Sequence, residues 1–332
     1  MKKSNRSASK ATTQKAIADE LGVSVMTVSR ALRDHPDLSD ETKSRIVSRA
    51  IELGYKKIPA QSSKSTIKRV GLFHYDEVGM HQGLEALGGG VQKMLFFAIE
   101  EQCQRHQIEV VLQFPKTGEA PVAIKNKTID AAFLLGRYTA DDAAFFKDLP
   151  TLAISSFTAG SKIPSIVADN VEGARLATEH LIQLGHRNIL FLSKELGAFT
   201  ELFRSRSNGY TLAMVQNGLK PQWLFIRTEE ELVPALPEIR KSTAVVCGAD
   251  ADASILKNTL TEAGLSVPCD MSITGFDNLN EEFTSYAPDW AQLGKMAVNM
   301  VVHSSELLGT QFKVTIPGRL IIRDSTTKPR VS

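Results

Sequence analysis

The chain has 332 residues, 42% of them hydrophobic, which is enough for two or three cores of ordinary size. It has no apolar stretch long enough to span a membrane, and its basic start lacks the apolar segment of a secretory signal, so we expect a cytoplasmic protein. Three scattered cysteines exclude a disulfide framework or a zinc ribbon, and we expect no metal and no cofactor.

Charge is distributed unevenly along the chain. Residues 1–69 contain 15 Lys and Arg against 7 Asp and Glu, a net charge of +8, and the remainder contains 24 against 30, a net charge of −6. This asymmetry favours an acidic polymer as the partner of the first segment and a different partner for the rest. The alternative is a solvated basic tail.

Residues 17–32, IADELGVSVMTVSRAL, have the pattern of two short helices around a tight turn. Apolar residues recur at helical spacing up to Leu21, Gly22 can adopt the positive φ that ends a helix, and Ser24 can cap the next helix. The stretch therefore predicts a helix-turn-helix.

A third helix is predicted after Ser39, which can cap it, and before Gly54, which can end it. The three helices would share a small core formed by Leu21, Val28, Leu32, Ile46 and Leu53. The second helix would expose a short mixed surface that fits the major groove of B-DNA.

The stretch from Ile17 to Tyr55 resembles the DNA-binding headpiece of the lac repressor/gal repressor family of bacterial transcription regulators. By this resemblance Val25 and Met26 read base edges, and Arg30 reaches a guanine or a phosphate. The residues expected to contact DNA are Thr13, Ser24, Val25, Met26, Thr27, Ser29, Arg30 and Lys64. A helix-turn-helix that binds protein is the alternative.

The predicted linker, residues 59–68, departs from the family pattern. Many members form a hinge helix here that inserts a leucine into the minor groove, whereas this chain has Lys64 at that position, among serines that favour turns. We expect a tether that follows the phosphates and bends DNA weakly. The alternative is that Ile58 or Ile67 takes the place of the leucine.

From Arg69 onward, short apolar runs alternate with helical patterns, which predicts parallel sheets covered by helices. The predicted strands are 69–73, 108–112, 131–135, 151–154, 166–168, 188–192, 224–226, 244–247 and 271–276. The pattern restarts at Asn188, so we expect two lobes. Stretches such as TAVVCGADADASIL and AGLSVPCDMSITGFDN resemble the family's effector-binding core, which shares its fold with periplasmic sugar-binding proteins.

The predicted fold class is therefore α/β, with a three-helix helix-turn-helix headpiece and a two-lobed, doubly wound parallel core. The expected boundaries are a headpiece at 1–58, a linker at 59–68 and a core at 69–332. Lobe 1 is expected at about 69–164 and 289–312, and lobe 2 at about 165–288 and 313–326.

The family resemblance also implies an effector site between the lobes. Arg206 matches the family arginine that contacts effector hydroxyls or carboxylates, and Asp277 matches the aspartate that accepts hydrogen bonds from sugars. The alternative is a structural ion pair at a strand end. The expected site residues are Tyr75, Asp76, Arg137, Ser155, Arg206, Asp250 and Asp277.

Two departures in this site disfavour a simple hexose pocket. Ala249 precedes Asp250 where the family often has Asn, and Ser155 stands where many sugar-responsive members have Asp. The first departure removes one polar effector contact, and the second replaces a carboxylate with a hydroxyl.

The sequence thus predicts a homodimeric, effector-responsive repressor of a metabolic operon that binds an approximately palindromic operator in double-stranded DNA. The expected effector is a sugar or a related small metabolite. An activator and a solute-binding protein with a regulatory segment are the alternatives. An enzyme is disfavoured, because no nucleophile elbow, His-Glu-x-x-His pattern or Cys/His cluster occurs.

Overall fold

The computed structural model describes residues 13–32, 38–53, 67–75, 90–156, 158, 160–194, 200–303 and 311–330. The chain divides into two compact units, the headpiece at Met1–Ser65 and the core at Thr66–Ser332. Of the predicted linker, only Ile67 and Lys68 lie within the described residues. No described helix is both long and apolar enough to cross a membrane.

The described part of the headpiece contains three helices, α1 (Gln14–Leu21), α2 (Val25–Leu32) and α3 (Asp40–Glu52). Gly22 has a φ of 66° and closes the first helix. The hydroxyl of Ser24 accepts a hydrogen bond from the backbone N–H of Thr27 at 2.9 Å, and Ser39 caps the third helix through Thr42 at 3.3 Å. These three predicted helix boundaries are confirmed, whereas the predicted end at Gly54 lies outside the described residues.

A small apolar core holds these helices together. Val28, Leu32 and Ile46 are buried as predicted, and Leu21 and Leu53 pack against them while partly exposed. The other buried members are Ile17, Ala18, Ala31 and Ala50. Because α2 turns Val28, Ala31 and Leu32 inward, its opposite face is left to the surface.

The core contains two six-stranded sheets, one in each lobe. The first sheet consists of β1 (Arg69–Tyr75), β2 (Glu109–Gln113), β3 (Ala131–Gly136), β4 (Thr151–Ile154), β5 (Ser165–Ala168) and β11 (Lys313–Ile316), in the spatial order β11-β5-β4-β3-β1-β2. The second consists of β6 (Ile189–Lys194), β7 (Trp223–Ile226), β8 (Ala244–Cys247), β9 (Ser272–Phe276), β10 (Thr284–Pro288) and β12 (Gly318–Ile321), in the order β12-β10-β9-β8-β6-β7. All neighbouring pairs are parallel except β10 with β12.

Helices cover the sheets, as a parallel arrangement requires. The first lobe carries α4 (Val91–Arg105), α5 (Val122–Lys125), α6 (Ala140–Ala144) and α11 (Trp290–His303), and the second carries α7 (Asn170–Leu184), α8 (Thr200–Gln216), α9 (Leu232–Ile239) and α10 (Asp250–Glu262). A buried cluster that includes Leu95, Phe133 and Val298 joins α4 and α11 to the first sheet. The corresponding cluster of the second lobe includes Val245, Leu256 and Ile273.

The expected lobe boundaries were wrong at two strands. Residues 165–168 and 313–316 were assigned to lobe 2, yet β5 and β11 pair with each other and extend the first sheet beyond β4. The reason is that all four residues of β5 are buried. The backbone of such a strand needs a hydrogen-bonded neighbouring strand along each of its two edges. The chain therefore completes the first sheet with β5 before it enters the second lobe.

The chain passes between the lobes at three single residues. Asp169 separates β5 from α7, Asp289 separates β10 from α11, and Pro317 separates β11 from β12. The Asp169 carboxylate accepts a hydrogen bond from Glu172 N–H at 3.0 Å, so this connection also caps the helix that follows it. These connections are as short as a chain allows.

Helices α7 and α8 cross at very close range at Gly209. A Cβ atom added at this position would lie 2.0 Å from the carbonyl oxygen of Val171 and 3.1 Å from the backbone nitrogen of Arg175. Glycine is therefore required by the contact between two backbones, since any side chain would force the helices apart.

We predict that Gly209→Ala destabilises the core, although Ala favours a helix over Gly by about 1 kcal/mol. Overpacked interiors typically lose about 1–3 kcal/mol, which thermal unfolding followed by circular dichroism would report as a lower Tm. Asn208→Ala, at the adjacent, exposed position of the same helix, is the matched control. Equal midpoints for the two variants would contradict the close crossing.

Candidate functional sites

The outward face of α2 is the first candidate site. Val25 and Met26 stand exposed at the start of this helix, followed on the same face by Ser29 and Arg30. Ser24 precedes them as the N-cap, with its hydroxyl 2.8 Å from that of Thr27. A short helix with such a face fits the major groove of B-DNA, where the N-terminal residues of a recognition helix meet the base edges.

The remaining predicted DNA contacts are Thr13 and Lys64. The hydroxyl of Thr13 accepts a hydrogen bond from Ala16 N–H at 3.2 Å and caps α1. Lys64 lies outside the described residues. Contact of these residues with DNA stays a prediction.

A cavity of about 150 Å³ lies between the two sheets of the core and is the second candidate site. Trp290, Leu135 and Ile154 are among its apolar walls, and its polar side chains include Gln92. The full lining is Val91, Gln92, Leu95, Leu135, Gly136, Ile154, Ser155 and Trp290 from the first lobe, and Leu202, Phe203, Arg206 and Asp277 from the second. Ser155, Arg206 and Asp277 are thus brought together as predicted.

Arg206 is held by four hydrogen bonds at the floor of this cavity. Its Nε–H donates to Asn170 Oδ1 at 2.8 Å, and Nη1 donates to the Gly248 carbonyl at 2.5 Å. Nη1 and Nη2 also reach the two carboxylate oxygens of Asp277, at 3.3 and 2.9 Å. The guanidinium stacks on Phe276, 3.6 Å from the ring centroid. The pair is therefore both an ion pair and part of the cavity wall.

The backbone is unusual at two residues of the lining. Ser155 has a φ of 50° and Asp277 a φ of 93°, in the left-handed region that non-glycine residues seldom adopt. Both follow the carboxyl end of a parallel strand, where ligands bind in open α/β sheets. Such conformations persist only where the surroundings hold them, and they are concentrated at binding sites.

Asp250 is not among the residues that line the cavity, and its contact with an effector stays a prediction. Its Oδ2 accepts from the backbone N–H groups of Leu279 and Asn280, and its Oδ1 accepts from the hydroxyl of Ser285. A Cβ atom at Gly275 would lie 1.9 Å from Oδ1, so the carboxylate packs directly against β9. Asp250 therefore holds the loop that follows β9 in place behind Asp277.

Tyr75 and Arg137 also lie outside the described lining of the cavity. Tyr75 is buried, its hydroxyl has no partner among the described residues, and burial raises its pKa well above the ordinary value. Arg137 is half-buried, and its backbone N–H donates to the Tyr75 carbonyl at 2.9 Å. Asp76 lies outside the described residues.

Asp252 is a buried carboxylate that the sequence reading missed. It is 4% exposed, its Oδ2 has no hydrogen-bond partner among the described residues, and burial raises its pKa to about 6. Burial likewise raises the pKa of Asp250 to about 6. No signal in the sequence indicated this burial, since acidic residues at the start of a helix such as α10 are favourable without being buried.

A separate cavity of about 400 Å³ lies beside α6, and none of the predicted site residues within the described part of the chain lines it. Ala140, Ala143 and Phe146 form part of its wall, together with Lys147 and Lys162. The smaller cavity is the better candidate for the effector site, because it contains the buried ion pair and both strained backbones.

We predict that Asp252→Asn stabilises the core at pH 8. The folded pKa of about 6 exceeds the unfolded value of about 3.9, so the folded state binds the proton more tightly. Stability therefore falls as the pH rises from about 4 to about 6 and then stays level. The variant should gain up to about 2 kcal/mol at pH 8 and nothing at about pH 4, as measured by urea unfolding.

The control for this prediction is Asp250→Ala. It also removes a carboxylate with a raised pKa, but it leaves two backbone N–H groups and a hydroxyl without their acceptor, so it should destabilise the core. A loss of stability at pH 8 in Asp252→Asn would contradict the assignment of Asp252 as a charge whose burial costs more than its neighbours Lys194 and Arg206 offset.

Comparison with protein families identifies both units. Residues 13–57 match the model of the lacI family of bacterial regulatory proteins, and residues 178–326 match the periplasmic binding protein-like domain. The first match contains all three headpiece helices. The second contains the ion pair and Asp250.

Relatives and solved structures agree with these matches. The chain is 27% identical to the HTH-type transcriptional repressor PurR of Glaesserella parasuis serovar 5 (strain SH0165), over 87% of this chain and 89% of the relative. It is 25% identical to the HTH-type transcriptional regulator RegA of Clostridium saccharobutylicum, over 88% and 92%. A lac repressor dimer bound to operator and the anti-inducer ONPF has the same fold, with a TM-score of 0.65, 22% identity and coverage of 96% of this chain and 100% of that chain.

A helix-turn-helix that matches the lacI model and a core of which residues 178–326 match the periplasmic binding protein-like domain occur in one chain, over most of the length of known transcription regulators. The chain thus contains a DNA-binding domain of the lacI family and a periplasmic binding protein-like domain, and it is similar over most of its length to known repressors and regulators of transcription.

Proposed function

We propose that the protein is a cytoplasmic transcriptional repressor that binds an approximately palindromic operator as a homodimer and responds to a small metabolite. The observation that carries the proposal is the outward face of α2, on which Val25, Met26 and Arg30 stand exposed. The chain's similarity to repressors supports the sign of the response. Two copies related by a twofold axis would present two such faces to the two half-sites.

The effector is expected in the cavity between the lobes. The cavity of about 150 Å³ is smaller than most small-molecule pockets, so it suits a compact molecule, a sugar or a related metabolite. Arg206 and Asp277 would meet its polar groups, and Trp290 and Phe203 would cover its apolar surface. A ligand that binds one arrangement of the lobes better than another shifts the equilibrium between them, and with it the affinity for DNA.

The DNA-binding role can be tested by replacing Arg30. Full-length protein would first select its operator from a random library of short DNA duplexes. Arg30→Ala should then lose about 1–3 kcal/mol of affinity for the selected operator, about 5-fold to 150-fold in Kd, and relax the preference at one base pair. Arg45→Ala, which removes the same charge from the exposed surface of α3, should leave the sequence preference unchanged. Unaltered preference in Arg30→Ala would refute the assigned role of the helix.

The effector site can be tested with Asp277→Asn. A thermal-shift screen of sugars, nucleosides and organic acids against wild-type protein would identify a ligand. The variant should require a much higher ligand concentration for the same shift, because the substitution removes one carboxylate oxygen and the charge that holds Arg206. Operator binding without ligand should remain. Equal titration midpoints for wild type and variant would place the ligand elsewhere.

Whether the protein represses or activates transcription can be measured with a reporter gene. A reporter gene behind the selected operator should be expressed at a higher level when the gene for this protein is deleted. Lower expression on deletion would identify an activator in place of a repressor.

A further inference from the structure

The start of α2 exposes two adjacent apolar side chains on the face assigned to DNA. Val25 is 44% exposed and Met26 is 64% exposed, whereas the other apolar residues of the helix, Val28, Ala31 and Leu32, are each 3% exposed or less. Neither Val25 nor Met26 belongs to the apolar core of the headpiece. Their exposure therefore serves no folding purpose within this unit.

These two side chains cannot read bases by hydrogen bonds. Valine has no polar atom, and the methionine sulfur is only a weak acceptor. Reading a base edge by hydrogen bonds uses Arg, Lys, Asn, Gln, Glu, Asp, Ser or Thr, and on this face Ser29 and Arg30 carry such donors. In the major groove of unmodified DNA, the apolar feature of a base edge is the C5-methyl group of thymine.

We propose that Val25 and Met26 read thymine by packing on its methyl group, so that each operator half-site presents thymine at the two base pairs these residues face. The proposal rests on the DNA-binding function proposed above and adds the chemical basis of its specificity. Burial of one methyl-sized group is worth about 0.8 kcal/mol, or about fourfold in Kd. Two such contacts per half-site therefore make a measurable contribution to base choice.

The two residues differ in how strictly they would select. A valine side chain in a helix is confined almost entirely to one χ1 rotamer, so Val25 presents its methyl groups at one place. Methionine has three rotatable bonds and adapts to its surroundings, so Met26 reaches a methyl group over a wider range. We therefore expect the stricter thymine requirement at the base pair that faces Val25.

The test uses full-length protein and the operator selected from random duplexes. Each thymine of one half-site is replaced in turn by uracil, which differs only by the missing C5-methyl group. We expect about fourfold weaker binding at two of these positions and unchanged Kd at the others. A cytosine placed at either position should bind more tightly when it is 5-methylated, because the methyl group is restored at the same place in the groove.

Variants at Met26 connect one of the two positions to its side chain. Met26→Gln should change the preferred base there from thymine to adenine, since Gln pairs with the N6 and N7 atoms of adenine. It should also abolish the uracil effect at that position alone. Met26→Leu, which keeps an apolar side chain and favours a helix equally, should retain the uracil effect. The uracil effect at the Val25 position should persist in both variants and serves as the internal control.

The outcomes separate this inference from the function on which it rests. Sequence-specific binding with no uracil-sensitive position that changes in the Met26 variants would overturn the inference and leave the DNA-binding function intact. Selection of no sequence from the random library would overturn both. Because Met26 is largely exposed, unfolding midpoints equal to that of wild type are expected and would confirm that each variant is folded.

Discussion

The arrangement of the core depends on the buried ion pair between Arg206 and Asp277. One guanidinium joins α8, the first residue of α7, the carbonyl of Gly248 after β8 and the residue that follows β9. Breaking a buried pair by removing one partner typically costs about 3–5 kcal/mol, because the other charge is left uncompensated. The pair therefore links the residues after β8 and β9 to the cavity wall through one side chain. A ligand that touches either member acts on all of these elements.

The same region contains more negative charge than positive charge. Asp250 and Asp252 lie near the ion pair, and burial raises the pKa of each to about 6. Asp250 is stabilised by three hydrogen bonds that fix the loop after β9, whereas one oxygen of Asp252 has no partner in the described part of the chain. The two aspartates therefore differ in their roles. Asp250 supports the position of Asp277, whereas the buried charge of Asp252 destabilises the lobe.

Helix ends and apolar strands could be predicted from the sequence, because each depends on residues that are close together in the chain. The caps at Gly22, Ser24 and Ser39 were predictable because each depends on one residue and its neighbours. The nine predicted strands were mainly apolar, whereas β10, β11 and β12 are partly polar. β11 and β12 are strands because they pair with β5 and β10 from distant parts of the chain. For the same reason the sequence could not place Ser165–Ala168 in the first lobe. The likeness of Arg206 and Asp277 to family residues predicted both members of the pair, whereas the role of Asp250 depends on three groups about 29 to 35 positions further along the chain.

The connections between the lobes lie next to the residues that form the cavity. Asp169 is followed by Asn170, which accepts a hydrogen bond from Arg206, and Asp289 is followed by Trp290, which lines the cavity. The third connection is joined to the first, because Asp169 N–H donates to the carbonyl of Ile316 at 2.9 Å. Any change in the angle between the two sheets must be absorbed by the backbone at these single residues. Since Asp169 and Asp289 also cap α7 and α11, those helices turn with the connections. A ligand in the cavity would therefore act on residues that directly follow two of the connections between the lobes. A change at the cavity can reach the angle between the sheets through these adjacent residues alone.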